Sequence, residues 1–133
     1  MKYLLDTNIC IYYIKQKSPH LMEKIRRSTA DGICISAISL SELEYGVAKS
    51  AYPKKNADEL KRFLTIFNVL SFDSLASEKY GQIRTYLEKR GLPIGPMDML
   101  IAAHALSQNL TLITNNTREF TRVDGLLLED WSQ

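Results

Sequence analysis

Histidine is almost missing from this chain: His20 and His104 are the only two among 133 residues. Cleavage chemistry built on paired imidazoles is therefore hard to assemble here. Cysteine is equally sparse, and Cys10 and Cys34 form neither a CxxC pair nor a metal-finger spacing, which leaves them as buried thiols in a reducing compartment. No stretch approaches the roughly 20 apolar residues of a membrane span. The opening Met-Lys-Tyr-Leu-Leu-Asp reaches Asp6 after only Tyr3, Leu4 and Leu5, too few for the apolar core of a signal peptide. The expected location is the cytoplasm. Excess charge is lacking too: a net +2 neither announces nor excludes a nucleic-acid partner, because a modest total can hide a basic rim around an acidic pocket. Repeats, low-complexity segments and long linkers are absent, so residues 1–133 are expected to form one domain. An apolar fraction of 45% against 24% charged is that of an ordinary globular protein, which sets disorder aside.

What is present is an alternation. Tyr3-Leu4-Leu5 is a short, wholly apolar run ending at Asp6-Thr7-Asn8, beyond which Ile9, Ile11, Tyr12 and Ile14 take helical spacing. Pro19 to Thr29 reads as an amphipathic helix, Asp31-Gly32 as a turn and Ile33-Cys34-Ile35 as a second strand. Helices are predicted through Leu43, Tyr45 and Val47 and over Lys54 to Phe67, with a brief strand at Val69-Leu70. Asp73 or Ser74 caps a helix to Arg90. Then Gly91 to His104 runs from a Gly/Pro loop into an apolar helix, with Pro96 pre-set for its first position and Asp98 in its first turn. Strands at Leu110–Ile113 and Leu126–Leu128 and an anchoring Trp131 complete the chain. Wholly apolar strands alternating with helices predict an α/β domain, its mostly parallel sheet flanked by helices on both faces. In such sheets ligands bind beyond the carboxyl ends of the strands.

Acidic residues fall at those ends. Taken singly, each has an ordinary explanation. Asp6 suits a helix N-cap, Ser39-Leu-Ser-Glu42 matches a capping box, Asp98 complements a helix dipole, and Thr114-Asn-Asn-Thr-Arg-Glu119 is a polar turn. Taken together, Asp6, Glu42 and Asp98 sit at junctions that parallel topology delivers to one edge. Convergent carboxylates must either keep protons or share a cation. All-oxygen donors select a hard ion, Mg²⁺ or Mn²⁺, which suits phosphodiester hydrolysis by an activated water. His104 lies about 240° around its helix from Asp98 at 100° per residue, which makes it a packed histidine on another face.

Two other acid-bearing α/β folds fit less well. A receiver domain needs adjacent acids after the first strand, whereas Asp6 is flanked by Leu5 and Thr7; an aspartyl-nucleophile phosphatase wants a second Asp where Asn8 stands.

At these same residues the chain resembles the PIN-domain ribonucleases, specifically the VapC toxins of toxin–antitoxin pairs. The matching pieces are Leu5-Asp-Thr-Asn-Ile-Cys-Ile-Tyr12, Ser36 to Gly46, Gly91 to Ala103, Thr114-Asn-Asn-Thr-Arg-Glu-Phe120 and Glu129-Asp-Trp131. The resemblance implies a single PIN-like domain and a Mg²⁺- or Mn²⁺-dependent endoribonuclease, with Asp6, Glu42 and Asp98 as its acidic triad. Asp6 and Asp98 are then the principal metal anchors, and Glu42 holds the ion or orients water. Many PIN domains carry Asp where this chain has Asn116, so Glu119 is carried over beside Asn116 as a further candidate. Thr7 and Asn8, or Thr114 and Asn116, would steady the carboxylates. The resemblance further implies homodimerisation, a VapB-type antitoxin that inserts a segment into the site, and a structured RNA substrate such as initiator tRNA cut in its anticodon loop. A basic rim of Lys15, Lys17, Lys49, Lys54 and Lys55 would steer that RNA. The alternative within the family is a catalytically silent module that only binds antitoxin or RNA.

Overall fold

In the computed structural model, which describes residues 1–133, β1 (Tyr3–Leu5) lies at the centre of a five-stranded sheet. It leads to α1 (Thr7–Ile14) and α2 (Pro19–Ser28), and a 3₁₀ turn at Thr29–Asp31 delivers β2 (Ile33–Ser36). Next come α3 (Ala37–Lys49), α4 (Pro53–Leu64) and β3 (Asn68–Leu70), then α5 (Ser74–Lys89), α6 (Pro96–Ser107) and β4 (Thr111–Ile113). A single turn, α7 (Thr117–Phe120), precedes β5 (Leu128–Glu129). The strand order is β3-β2-β1-β4-β5 and every pairing is parallel.

The apolar runs explain the layering. In β1, β2 and β4 every residue is buried, and alternate side chains serve opposite faces. Leu4 is in register with Cys34 and Leu112 and packs with them against Ile83, Leu87 and the buried side of α6. Tyr3, Leu5, Ile33, Ile35 and Ile113 point the other way, into a core closed by α1, α2 and α4. Tyr13 belongs to that second core, its ring edge-on to Phe63 at 5.8 Å and Phe67 at 5.3 Å. Trp131 anchors the tail by packing at 4.7 Å against Tyr3. Both cysteines are buried and free. No helix is long and apolar enough to cross a membrane.

From β1 the chain moves outward through β2 to β3, then returns across the sheet through α5 and α6 to place β4 on the other side of β1. The winding therefore reverses between β1 and β4, and a reversal of this kind opens a crevice at the carboxyl edge. Asp6 and Thr114 stand on its two sides.

Beyond shifts of a single residue at element ends, two boundaries and one element differ from the sequence reading. The last strand is Leu128–Glu129 rather than Leu126–Leu128, because Gly125, at φ +80°, and a Leu126 N–H bond to the Val123 carbonyl keep the chain turning. The fourth helix stops at Leu64, capped by Thr65, so Phe67 reaches the core from a loop. α7 was not anticipated; four residues hold too little periodicity to register.

The alanines of α6 let it approach its neighbours closely: Ala102, Ala103 and Ala105 are each 0% exposed. Such a site tolerates no added volume. Ala103→Leu is expected to cost about 2 kcal/mol by overpacking, read as a lower urea midpoint at unchanged slope. An unchanged midpoint would mean that the interior there is loose.

Candidate active site

Asp6 ends β1, where its N–H donates to the Ile113 carbonyl at 3.0 Å and so ties it to β4. Its side chain is only 4% exposed, and both carboxylate oxygens are occupied. Oδ1 accepts the Ile9 N–H at 2.9 Å, which makes Asp6 the N-cap of α1. Oδ2 accepts the Thr114 hydroxyl at 2.5 Å, and Thr114 Oγ1 in turn accepts the Asn116 N–H at 2.9 Å. The ordinary cap role and the site role thus coexist in one residue. Burial pushes the Asp6 carboxyl up to about 6; the bonds from Thr114 and Ile9 pull against that, while the charges of Asp98 and Glu42 add to it.

Glu42 is not the N3 member of a capping box. Ser36, three residues before Ser39, caps α3 through an Ile38 N–H bond of 3.0 Å, which leaves Glu42 in the helix's second turn. There Glu42 Oε1 accepts the Thr7 hydroxyl at 2.5 Å, a contact between residues 35 apart in sequence. Thr7 Oγ1 also lies 3.2 Å from the hydroxyl of Ser39, which is 0% exposed.

Asp98 enters from the start of α6, two residues after Pro96. It is half-buried, and its carboxyl is raised first by burial, then by the charges of Glu42 and Glu119. Glu119, on α7, accepts the Asn116 side-chain amide at 3.3 Å. The loops thus bring Asp6, Glu42, Asp98 and Glu119 into one field of mutual repulsion. Of the two pairs expected to support Asp6, Glu42 and Asp98, Thr7 donates to Glu42 and Thr114 to Asp6, while Asn116 bonds Glu119 instead. Asn8 is the correction. It is exposed on α1, because the turn that directs Thr7 inward directs its neighbour out. Lys15, Lys17, Lys49, Lys54 and Lys55 are all exposed.

The charges that raise Asp6 are those of Asp98 and Glu42, and those that raise Asp98 are Glu42 and Glu119. An all-oxygen donor set whose members raise one another's proton affinity fits a hard divalent cation. As the side chains stand, no three of these acids lie close enough together to hold a metal ion. Asp6, Asp98 and Glu42 are the residues that would hold the ion.

His104 takes no part. It is 0% exposed, edge-on to Phe72 at 5.4 Å, with Nδ1 2.7 Å from Ser36 Oγ and Nε2 without a hydrogen-bond partner. Burial lowers its pKa, with Asp73 and the Ser71 carbonyl pulling the other way. Sequence reasoning missed Ser39, which it had assigned to a helix cap. The available signal was its place one helical turn before Glu42, on the same face.

Known proteins show the same arrangement of chain. The PIN domain family profile matches residues 3–126. The chain is 46% identical over 132 residues to the tRNA(fMet)-specific endonuclease VapC of Shigella flexneri, covering 99% of each sequence. It superimposes with a TM-score of 0.94 on the crystal structure of VapBC2 from Rickettsia felis bound to a DNA fragment from its promoter, at 42% identity over 98% of this chain and 99% of that one. The DNA-bound VapBC of Salmonella typhimurium also gives a TM-score of 0.94, at 44% identity over 98% of both chains.

Proposed function

The chain belongs to the PIN-domain family, and we propose that it is a divalent-metal-dependent endoribonuclease toxin of the VapC kind, acting on tRNA and held silent by a VapB-type antitoxin. One observation supports the reading: Asp6, Glu42, Asp98 and Glu119, from four separated segments, gather at the carboxyl edge of the sheet, where Thr7 of α1 reaches Glu42 and Thr114 beyond β4 reaches Asp6. Mg²⁺ or Mn²⁺ bound there would lower the pKa of a water and stabilise charge on phosphate oxygens. The chain's own part is positional. Asp6 is gripped on both oxygens by Ile9 and Thr114, Glu42 is held by Thr7, and Asp98 is presented by a helix whose Pro96 fixes the entry. Glu42 is suited to orienting the attacking water, since it is only half-buried and keeps one oxygen clear of the Thr7 bond.

We take an apolar surface of this chain as the seat of the antitoxin segment. An apolar groove between α1, α3 and α4, walled by Ile11, Ile14, Leu43, Val47 and Leu60, opens beside Glu42 with Lys15 on its rim. A segment seated there would lie against Glu42. The active form is taken to be a homodimer, on the strength of the family resemblance.

The test is end-mapping of total RNA after digestion by the purified chain freed of antitoxin. Cuts confined to tRNA, bearing 5′-phosphate and 3′-hydroxyl ends and lost in EDTA, are the expected result. Undiminished cutting in EDTA, or 2′,3′-cyclic phosphate ends, would refute the mechanism.

A further inference from the structure

Two threonines grip two carboxylates by the same device. Thr114 donates its single proton to Asp6 while the Asn116 N–H fills a lone pair behind it. That N–H has no freedom to turn away, so the Thr114 hydroxyl has only one useful orientation. Thr7 stands in the same relation to Glu42, but here the group behind it is the hydroxyl of Ser39.

We propose that Ser39 is a positioning residue of this site: its hydroxyl donates to Thr7 Oγ1 and thereby commits the Thr7 proton to Glu42. This rests on the ribonuclease reading above. The argument is one of proton inventory. A hydroxyl has one proton and two lone pairs. Thr7 Oγ1 touches two oxygens, Glu42 Oε1 at 2.5 Å and Ser39 Oγ at 3.2 Å. An ionised carboxylate can only accept, and bonds to charged acceptors are both the shorter and the stronger kind. The Thr7 proton therefore goes to Glu42, and the Ser39 proton must supply the second contact. Ser39 is 0% exposed, so no water competes for it. It also lies one helical turn before Glu42 on α3, so the helix that carries the carboxylate carries its aligning group too. Without that donor Thr7 can swing, and Glu42 loses its fixed direction.

The test is a double-mutant cycle on RNA cleavage with Mn²⁺, using the whole chain with Ser39→Ala, Thr7→Val and both changes. Ser39→Ala is expected to lower kcat about tenfold, the range seen when the support behind a metal ligand is removed, and to leave KM for RNA unchanged because Ser39 cannot touch the substrate. The double variant should be no slower than Thr7→Val alone, since Ser39 acts only through Thr7. Ser39→Cys, with its weaker S–H donor, should fall between wild type and Ser39→Ala; it also decides the matter if the alanine variant fails to fold. Unchanged kcat in Ser39→Ala, or losses that multiply in the double variant, overturns the proposal while the ribonuclease reading stands. A wild-type chain that does not cut RNA overturns both.

Discussion

Asp6→Asn is expected to remove RNA cleavage and at the same time raise the melting temperature. The loss should exceed about a hundredfold, since even groups one step behind a metal ligand typically cost 10–100-fold. The gain follows from the burial of Asp6. Its carboxyl titrates near 6 in the fold against an ordinary value of 3.8, so the folded state keeps a proton that the unfolded chain gives up. Stability is therefore lost as pH rises from about 4 to 6 and stays lost above. At neutral pH the charged carboxylate costs on the order of 3 kcal/mol at 1.36 kcal/mol per pH unit. Asparagine carries no such charge and still offers an oxygen to the Ile9 N–H, although its side-chain NH₂ can only donate to Thr114 and leaves the Thr114 proton to find another acceptor. A net rise of about 5 °C is expected for a chain of this size. A variant that melts lower than wild type at pH 7.5 would show that Asp6 is a structural cap first and a charge second.

Divalent metal should produce the opposite shift in the wild-type chain. An ion bound only by the folded state at a hundredfold excess over its Kd stabilises by about 2.7 kcal/mol, or roughly 8 °C here. Mn²⁺ at pH 7.5 should therefore raise the wild-type melting temperature and leave Asp6→Asn unmoved. The effect should shrink below pH 6, where the ion must displace a proton from Asp6. Differential scanning fluorimetry over a pH series with and without Mn²⁺ reads all of this without RNA. An equal shift in both proteins would place the metal elsewhere.

Much of this could be read from the sequence because parallel strands buried on both faces leave apolar runs that need no alternation. Tyr3–Leu5 and Ile33–Ile35 are such runs, and each ends in a polar residue at the sheet edge. Asp98 was equally plain behind Pro96. Glu42 was harder. Ser36 and Ser39 both offer a cap, and local spacing favours the second; the choice was settled by Thr7, which claims Ser39 and Glu42 from across the fold. Contacts of that range have no local signature. Asn8 failed for the converse reason, since adjacency to Thr7 in sequence says nothing about which side of α1 it occupies. The burial of His104 followed from helical geometry; its bond to Ser36 did not.

The place of β1 between β2 and β4 has a consequence for the order in which the site is assembled. β1 must wait for β4, made more than 100 residues later, to fill its second side, and Thr114, which clamps Asp6, arrives with that late partner. A nascent or prematurely terminated chain holds most of the acids but not the clasp that aims the first of them. On the function proposed above, RNA cutting is expected only once β4 is in place.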